Sequence, residues 1–354
     1  MRIIGYKTNP VEICDSEGLS MPLKDIFGVF NLLLEEYDDS MLKVCWDLDA
    51  TLAPLLKLLG ENNCRTLYTT KKLNLPPVSL FYIPGKVFCV NRGRTQSNLY
   101  GIEQYFRGIE EPEEIEGVYA LGRYLWEELK AMGMRPTKLT SPAAIYEQCV
   151  LRFANKPGVK DIPDELGEFA WRCSSKVWVE AHQLGYWDKT WDYDIVSAFP
   201  SVVANLIDTR HCDIVHSKAY QKNAVYGFCK GVVTINPDVK VSPIIRVADN
   251  GSSSSRTGQW EDFITKDEIE FIDKWGIGGF DIQDGYWLMP NKITYPMRIL
   301  TNRLLQYKEK DGLQRIVAKG MSVGGLYGKF GEDRGTEFGQ HFNPVWFAQI
   351  STEI

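Results

Sequence analysis

The chain has eight cysteines but no Cys-x-x-Cys pair. Thiols scattered in this way fit a reducing compartment, and a cytoplasmic location is the expectation. Histidine is scarce, with four among 354 residues. His211, Cys212 and His216 come nearest to a zinc cluster, and no second group of ligands completes it. No apolar run reaches the length of a membrane span, so no membrane partner is expected. Met1-Arg2-Ile3-Ile4-Gly5 is not the start of a secretory signal. A Walker-type phosphate loop is also missing. Gly328-Lys329 has Val323 where the first glycine belongs and Phe330 where Ser or Thr must follow.

What is present is a globular composition, 44% hydrophobic and 12% aromatic, in a length that accommodates two or three domains. Net charge is −6, which argues against a broad electrostatic DNA clamp. The charge is unevenly placed. Between Asn291 and Phe330 there are eight Lys or Arg and two acids, a local excess of +6. A basic helical pair on an acidic body suits a confined phosphate site.

Asp194-Ile195-Val196-Ser197-Ala198-Phe199-Pro200-Ser201 is the most informative stretch. It ends an apolar run, read as a strand over Trp191–Val196, on a carboxylate, and sets an aromatic ring five residues later. Hard divalent cations take carboxylate and phosphate oxygens. A flat ring just beyond such an acid can pack under a sugar and exclude a 2′-hydroxyl. Downstream, Leu313 to Leu326 reads as a helix on which Arg315 and Lys319 share one face, one turn apart. Two cations so placed suit a triphosphate. Gly324-Gly325 loosens the helix, and a local bulge is expected there.

The first stretch resembles motif A of the family B DNA polymerases, with Phe199 in the tyrosine position. Ala318-Lys319-Gly320-Met321-Ser322-Val323-Gly324-Gly325-Leu326-Tyr327-Gly328-Lys329-Phe330 resembles their motif B. Lys319 stands eight residues before Tyr327, where the family usually has seven, and the glycine pair replaces the usual Asn-Ser. Trp171-Arg172-Cys173-Ser174-Ser175-Lys176 sits where the family carries an aromatic-x-Gly-Gly-Arg loop against the template. Only the position and Lys176 carry over.

The resemblance implies a fold class of α/β and α+β domains. An exonuclease-type RNase H-like domain over 1–140 is followed by a connecting segment with the template-side loop (141–190). A palm (191–293), two-helix fingers (294–330) and an incomplete return to the palm (331–354) complete the order. It implies Asp194 and Ile195 at the metal, two Mg²⁺ ions with Mn²⁺ able to substitute. Ser197, Ala198, Phe199, Arg315, Lys319 and Tyr327 would meet the nucleotide, and Lys176, Gly328 and Lys329 the DNA. The partners would be primer–template DNA and deoxynucleoside triphosphates.

Two departures qualify the match. In the exonuclease-like part, Lys7 and Asn9 stand where two metal-binding acids belong, and Thr51 replaces an acid after Cys45-Trp46-Asp47-Leu48-Asp49-Ala50. Gly117 to Leu125 holds no acid where a third is due, so proofreading is not expected. Asp15-Ser16-Glu17 offers substitute acids, although the following glycine marks a turn. In the palm, the Asp-Thr-Asp type hairpin that supplies a second catalytic aspartate does not follow Tyr327. A chain continuing further, a polymerase completed by a C-terminal fragment in trans, and a non-catalytic nucleic-acid-binding subunit all remain open on the sequence.

Other elements are legible locally. Ile26 to Tyr37, Leu52 to Leu59 (with Pro54 in its first turn), Val118 to Met132 and Tyr295 to Lys310 read as helices. Ser141-Pro142 opens a further helix, and Thr265 with Glu268 forms a capping box. Tyr82 to Asn91 reads as a hairpin, and Asn155 to Pro163 as a linker. Gly227 to Ile235, Ser242 to Val247 and Phe280 to Leu288 read as strands. Asn250 to Gly258, rich in Gly and Ser, reads as a flexible loop.

Overall fold

The computed structural model describes residues 3–8, 11–14, 20–22, 26–35, 42–106, 108–174, 185–186, 188–189, 191, 195, 197–240, 242, 244–247, 253–255, 257–333, 335 and 337–353. They fall into two compact units, Met1–Phe153 with Leu304–Met321, and Ala154–Arg303 with Ser322–Ile354. The segment 294–330 is thus shared between the two.

The strands of the first unit are β1 (Ile3–Thr8), β2 (Val11–Cys14), β3 (Ser20–Pro22), β4 (Leu42–Cys45), β5 (Lys72–Leu75), β6 (Val78–Ile83), β7 (Val87–Arg92) and β8 (Thr95–Gly101). They form one sheet in the order β3-β2-β1-β4-β8-β7-β6-β5. β1, β4 and β8 run parallel, and the rest is antiparallel. Helices α1 (Ile26–Glu35), α2 (Leu48–Leu58) and α3 (Glu61–Thr70) bring Val29, Phe30, Leu52, Leu55 and Leu67 into one core with Leu80, Tyr82, Phe88 and Val90. Helix α4 (Ile115–Ala131) packs against β1, β2 and β4. Lys43 is buried within β4, where its Nζ donates to the Leu33 carbonyl at 2.8 Å and to Ser97 Oγ at 2.5 Å.

Two local expectations change here. Asp47 is the N-cap of α2, accepting from the amides of Asp49 (2.8 Å) and Ala50 (3.1 Å). The helix therefore starts four residues earlier than the apolar pattern implies, and Pro54 lies in its interior instead of its first turn. Ser141 caps α5 (Pro142–Cys149) as expected, accepting from the Ala144 amide at 3.2 Å.

The second unit contains helices α6 (Asp164–Cys173), α7 (Ala198–Asn205) and α8 (Lys266–Trp275). Its strands are β9 (Cys212–His216), β10 (Tyr226–Ile235), β11 (Ile245–Val247), β12 (Ser253–Ser255), β13 (Gly258–Thr265) and β14 (Gly278–Pro290). β13-β10-β14-β9 make an antiparallel sheet. α8 covers the face that carries Val233, Ile235, Trp260 and Ile264, with Ile272 packed into that core. Phe169 of α6 meets Phe263 and Tyr286, which point from the opposite face. Two more expectations are corrected. Trp171 to Cys173 closes α6 and does not form a loop, while Lys176 lies outside the described residues. The Gly-Ser run contains β12, whose Ser253–Ser255 pair with β11 and recover backbone hydrogen bonds that a free loop would give to water.

Helix α9 (Arg298–Lys308) leads into α10 (Leu313–Gly320), the π-helical turn Met321–Tyr327, the short α11 (Gly328–Phe330) and finally α12 (Pro344–Glu353). The bulge expected at Gly324-Gly325 is this π-helical turn.

The capping box at the start of α8 gives a pH-dependent element. Glu268 Oε2 accepts from the Thr265 amide (2.7 Å) and hydroxyl (3.0 Å), and the Glu268 amide donates to Thr265 Oγ1 (3.3 Å). Burial pushes the Glu268 carboxyl up from 4.5 to about 7, against the lowering effect of the Thr265 hydrogen bonds. An acid raised on folding favours the folded state below its unfolded pKa, and this contribution is lost as pH rises through the folded value. Glu268→Gln removes that dependence. Urea unfolding of variant and parent should diverge in favour of the variant by about 3 kcal/mol between about pH 4 and about pH 8. A pH-independent difference would show that Glu268 is already ionised in the cap.

Candidate active site

Of the motif A segment, Asp194 and Val196 lie outside the described residues, and so do Asp192 and Tyr193 of the strand read over Trp191–Val196. Ile195 is exposed. Ser197 has φ 57° and ψ 35°, a left-handed conformation that costs a non-glycine residue about 1–2 kcal/mol. It turns the chain directly into α7, with the Ser197 carbonyl accepting from the Ser201 amide at 3.0 Å. Backbone strain of this kind is held in place by its surroundings and concentrates at functional sites. Ala198 is the first residue of α7, and half-buried Phe199 the second.

Phe199 does not stand alone. Its ring lies 4.7 Å from that of Tyr327 at an interplanar angle of 34°. Tyr327 stacks on Phe347 of α12 (4.9 Å, 17°), and Phe347 stacks on Trp171 of α6 (5.5 Å, 26°). Trp171 meets Phe342, which stacks on Phe338 at 4.1 Å. Six rings from five separate segments thus form one row. The sequence marked Trp171 only as part of the template-side motif and gave no signal that Phe347, Phe342 and Phe338 join it, because the contacts that link Trp171, Phe347 and Tyr327 cross between distant segments. Gly331 borders the row, where an added Cβ would collide with the Phe347 ring.

The structure therefore brings together the motif A ring and the motif B tyrosine. Arg315 and Lys319 are exposed on α10, four residues apart as expected, and belong to the first unit. Lys329 is mostly buried and paired with Glu332 at 3.2 Å. The adjoining Gly328 begins α11.

No group of three or more His, Cys, Asp and Glu is placed to hold a metal ion among the described residues. His216 Nε2 is 2.6 Å from Asp284 Oδ1, and its ring stacks on Tyr286. Asp194 offers the hard oxygen donor that Mg²⁺ prefers, and its surroundings lie outside the described residues.

In the first unit, Lys7 and the acids near Thr51 make structural hydrogen bonds. Lys7 Nζ donates to the Glu113 carbonyl at 2.7 Å. Asp47 caps α2, and Asp49 accepts from the Tyr82 hydroxyl (2.5 Å) and the Gly85 amide (2.7 Å). Burial, reinforced by that carboxylate, pushes the Tyr82 phenol up. Asn9 and Asp15-Ser16-Glu17 lie outside the described residues. No described helix is long and apolar enough to cross a membrane.

The whole chain has the fold of a DNA polymerase of the phi29 kind, a mixed α/β fold. It is similar to phi29 DNA polymerase complexed with primer-template DNA in a post-translocation binary complex, with a TM-score of 0.57 and 9% identity over 99% of this chain and 75% of that one. The ternary complex with incoming nucleotide substrates gives 0.57 at 10% identity, with the same coverage. The complex with single-stranded DNA gives 0.52 at 9%, covering 99% of this chain and 74% of that one. No family model and no curated protein matches the sequence. At such identity the likeness is one of fold.

One consequence concerns hydrolysis. Two-metal phosphodiester cleavage needs several converging carboxylates. With Lys7 in an acid position and Asp47 and Asp49 engaged locally, the chain should not trim a mismatched primer 3′ end in Mg²⁺ or Mn²⁺. Metal-dependent trimming that disappears on mutating Asp15 or Glu17 would place the missing acids there.

Proposed function

We propose that this chain belongs to a family B DNA-directed DNA polymerase that transfers deoxynucleotides to a primer 3′ end. The observation that carries the reading is the contact between Phe199 and Tyr327. Two motifs more than a hundred residues apart, singled out for one reaction, bring their rings within 4.7 Å of each other. The likeness in fold to phi29 DNA polymerase over 99% of the chain supports it. In the first unit, the order β3-β2-β1-β4-β8 with β1, β4 and β8 parallel supports an RNase H-like, exonuclease-shaped domain.

In this reading the primer 3′-hydroxyl attacks the α-phosphorus in line, and the bond to pyrophosphate breaks as the new phosphodiester forms. Asp194 and the Ile195 main chain are the metal-side groups. Bound Mg²⁺ supplies charge neutralisation to the triphosphate and activation of the hydroxyl. The amides that follow Asp194, through Ser197 and Ala198, face the triphosphate. Phe199 packs under the sugar, and Tyr327 packs against the nascent base pair. Arg315 and Lys319 counter the charge of the departing pyrophosphate, while Lys176, Gly328 and Lys329 line the DNA.

Two-metal transfer calls for a second carboxylate beside Asp194. Half of a split polymerase, completed in trans, is one form of this reading. A non-catalytic nucleic-acid-binding subunit is the rival, in which the aromatic row survives as scaffold.

Asp194→Asn separates the two. In the complete enzyme it should abolish primer extension and leave primer–template affinity nearly unchanged, because the carboxylate makes no base contact. Retention of more than roughly a few per cent of activity would remove Asp194 from the metal site.

Phe199→Ala should raise the efficiency of ribonucleotide incorporation relative to deoxyribonucleotide, measured as a ratio against the parent. An unchanged ratio accompanied by a stability loss of about 3–5 kcal/mol would make Phe199 a packing residue of the aromatic row only.

A further inference from the structure

The first unit carries a feature that the polymerase reading does not use. Residues 62–102 contain six Lys or Arg and no Asp or Glu, within a chain that has 46 acids against 40 bases. This stretch covers most of α3 and all of the antiparallel ribbon β5–β8. One face of the ribbon is core, with Leu73, Leu80, Tyr82, Phe88, Val90 and Leu99 buried. Strand alternation sends the intervening residues to the other face.

The register sets these outward residues in two rows. Lys72 pairs with Phe81, Phe81 with Cys89, and Cys89 with Asn98. Beside them, Asn74 pairs with Ser79, Ser79 with Asn91, and Asn91 with Gln96. All of them except Asn98 line an open groove of about 600 Å³. α4 packs over β1, β2 and β4, and the same side of the sheet stays buried as far as Tyr100. The two rows lie past that point and are mostly half-buried or exposed.

Four side-chain amides share one open sheet face, and an Asn or Gln can offer a base edge both a donor and an acceptor. Asn91 is held in place, accepting from Cys89 Sγ and donating to the Ser79 carbonyl, each at 3.4 Å. Gln96 Nε2 already reaches Asn98 Oδ1 at 3.1 Å, which orients both groups. Phe81 supplies a half-buried ring in the middle of the ribbon. Lys71 and Lys72 are exposed at one edge, and Arg94 at the β7–β8 turn. Four strands span about 14 Å between the outer two, room for two or three splayed nucleotides and too little for a duplex.

We propose that the outer face of β5–β8 is a binding platform for single-stranded nucleic acid. Phe81 stacks a base, the row Asn74–Ser79–Asn91–Gln96 with Asn98 meets base edges, and Lys71 and Lys72 hold the phosphates. None of these residues belongs to motif A or motif B.

The test uses the full chain and a fluorescein-labelled oligothymidylate of about twelve nucleotides, followed by anisotropy. Phe81→Ala should weaken binding about tenfold. The double variant Lys71→Gln/Lys72→Gln, at two exposed positions, should weaken it comparably and lower the slope of log Kd against log salt by about 1. A duplex of the same length should bind parent and variants alike. Replacing thymidines by 4-thiothymidine and irradiating should crosslink the peptide that contains Phe81. Changes within twofold in both variants, with crosslinks confined to other peptides, would sink the proposal. So would displacement of the oligonucleotide by polyglutamate as effectively as by unlabelled oligothymidylate, which would make the face a site for acidic peptides.

Discussion

A helix that gains one residue must either rotate everything beyond it by about 100° or bulge. The segment from Leu313 to Phe330 bulges. Its π-helical turn over Met321–Tyr327 centres on Gly324-Gly325, where the missing side chains lower the cost of widening the helix. The consequence is felt at Tyr327. Its ring emerges from the π turn between Phe199 and Phe347, so the phase of this one turn decides whether the two motifs share a site at all. Gly331 belongs to the same constraint. The chain leaves the helix so close to Phe347 that no side chain fits there.

The parts of the fold that could be read from the sequence are those whose cause is local. Ser141 before Pro142, and Thr265 three residues before Glu268, close hydrogen bonds within a single turn, and the structure has both. The glycine pair marked the π turn for the same reason. The start of α2 is not legible from the apolar pattern: Asp47 at the end of a buried strand caps it through the amides of Asp49 and Ala50, and the helix it starts carries Pro54 in its interior. Ser253–Ser255 reads as a flexible loop by composition, yet pairing with the nearby Ile245–Val247 makes it a strand, because a serine run carries no alternating apolar pattern to reveal the hairpin. At the candidate site, Phe199 and Tyr327 were legible as types in motifs. Trp171 was legible only as part of the template-side motif, and Phe347, Phe342 and Phe338 not at all, since stacking between Trp171, Phe347 and Tyr327 joins distant segments and leaves no periodic trace.

Charge follows a similar division between sum and placement. A net of −6 describes neither unit's surface. The acids gather in stretches such as Glu110 to Glu116, which is largely exposed, while α10 presents Arg315 and Lys319 and the ribbon β5–β8 has no acid at all. The buried Lys43 shows the opposite arrangement, a cation held in the core by a carbonyl and a hydroxyl that tie α1 and β8 to β4. Location, and not total charge, carries the chemical information in this chain.

The left-handed turn at Ser197 also limits how this protein can change over time. A residue with φ near 57° is screened by its own backbone before any contact of its side chain matters. Glycine, asparagine and aspartate pass that screen, whereas valine, isoleucine and threonine do not. Drift at this position is therefore channelled into a few small or polar residues, while Ile195, exposed two positions earlier, is under no such filter. Divergent descendants of this chain would keep the turn's residue class long after the neighbouring letters had been lost.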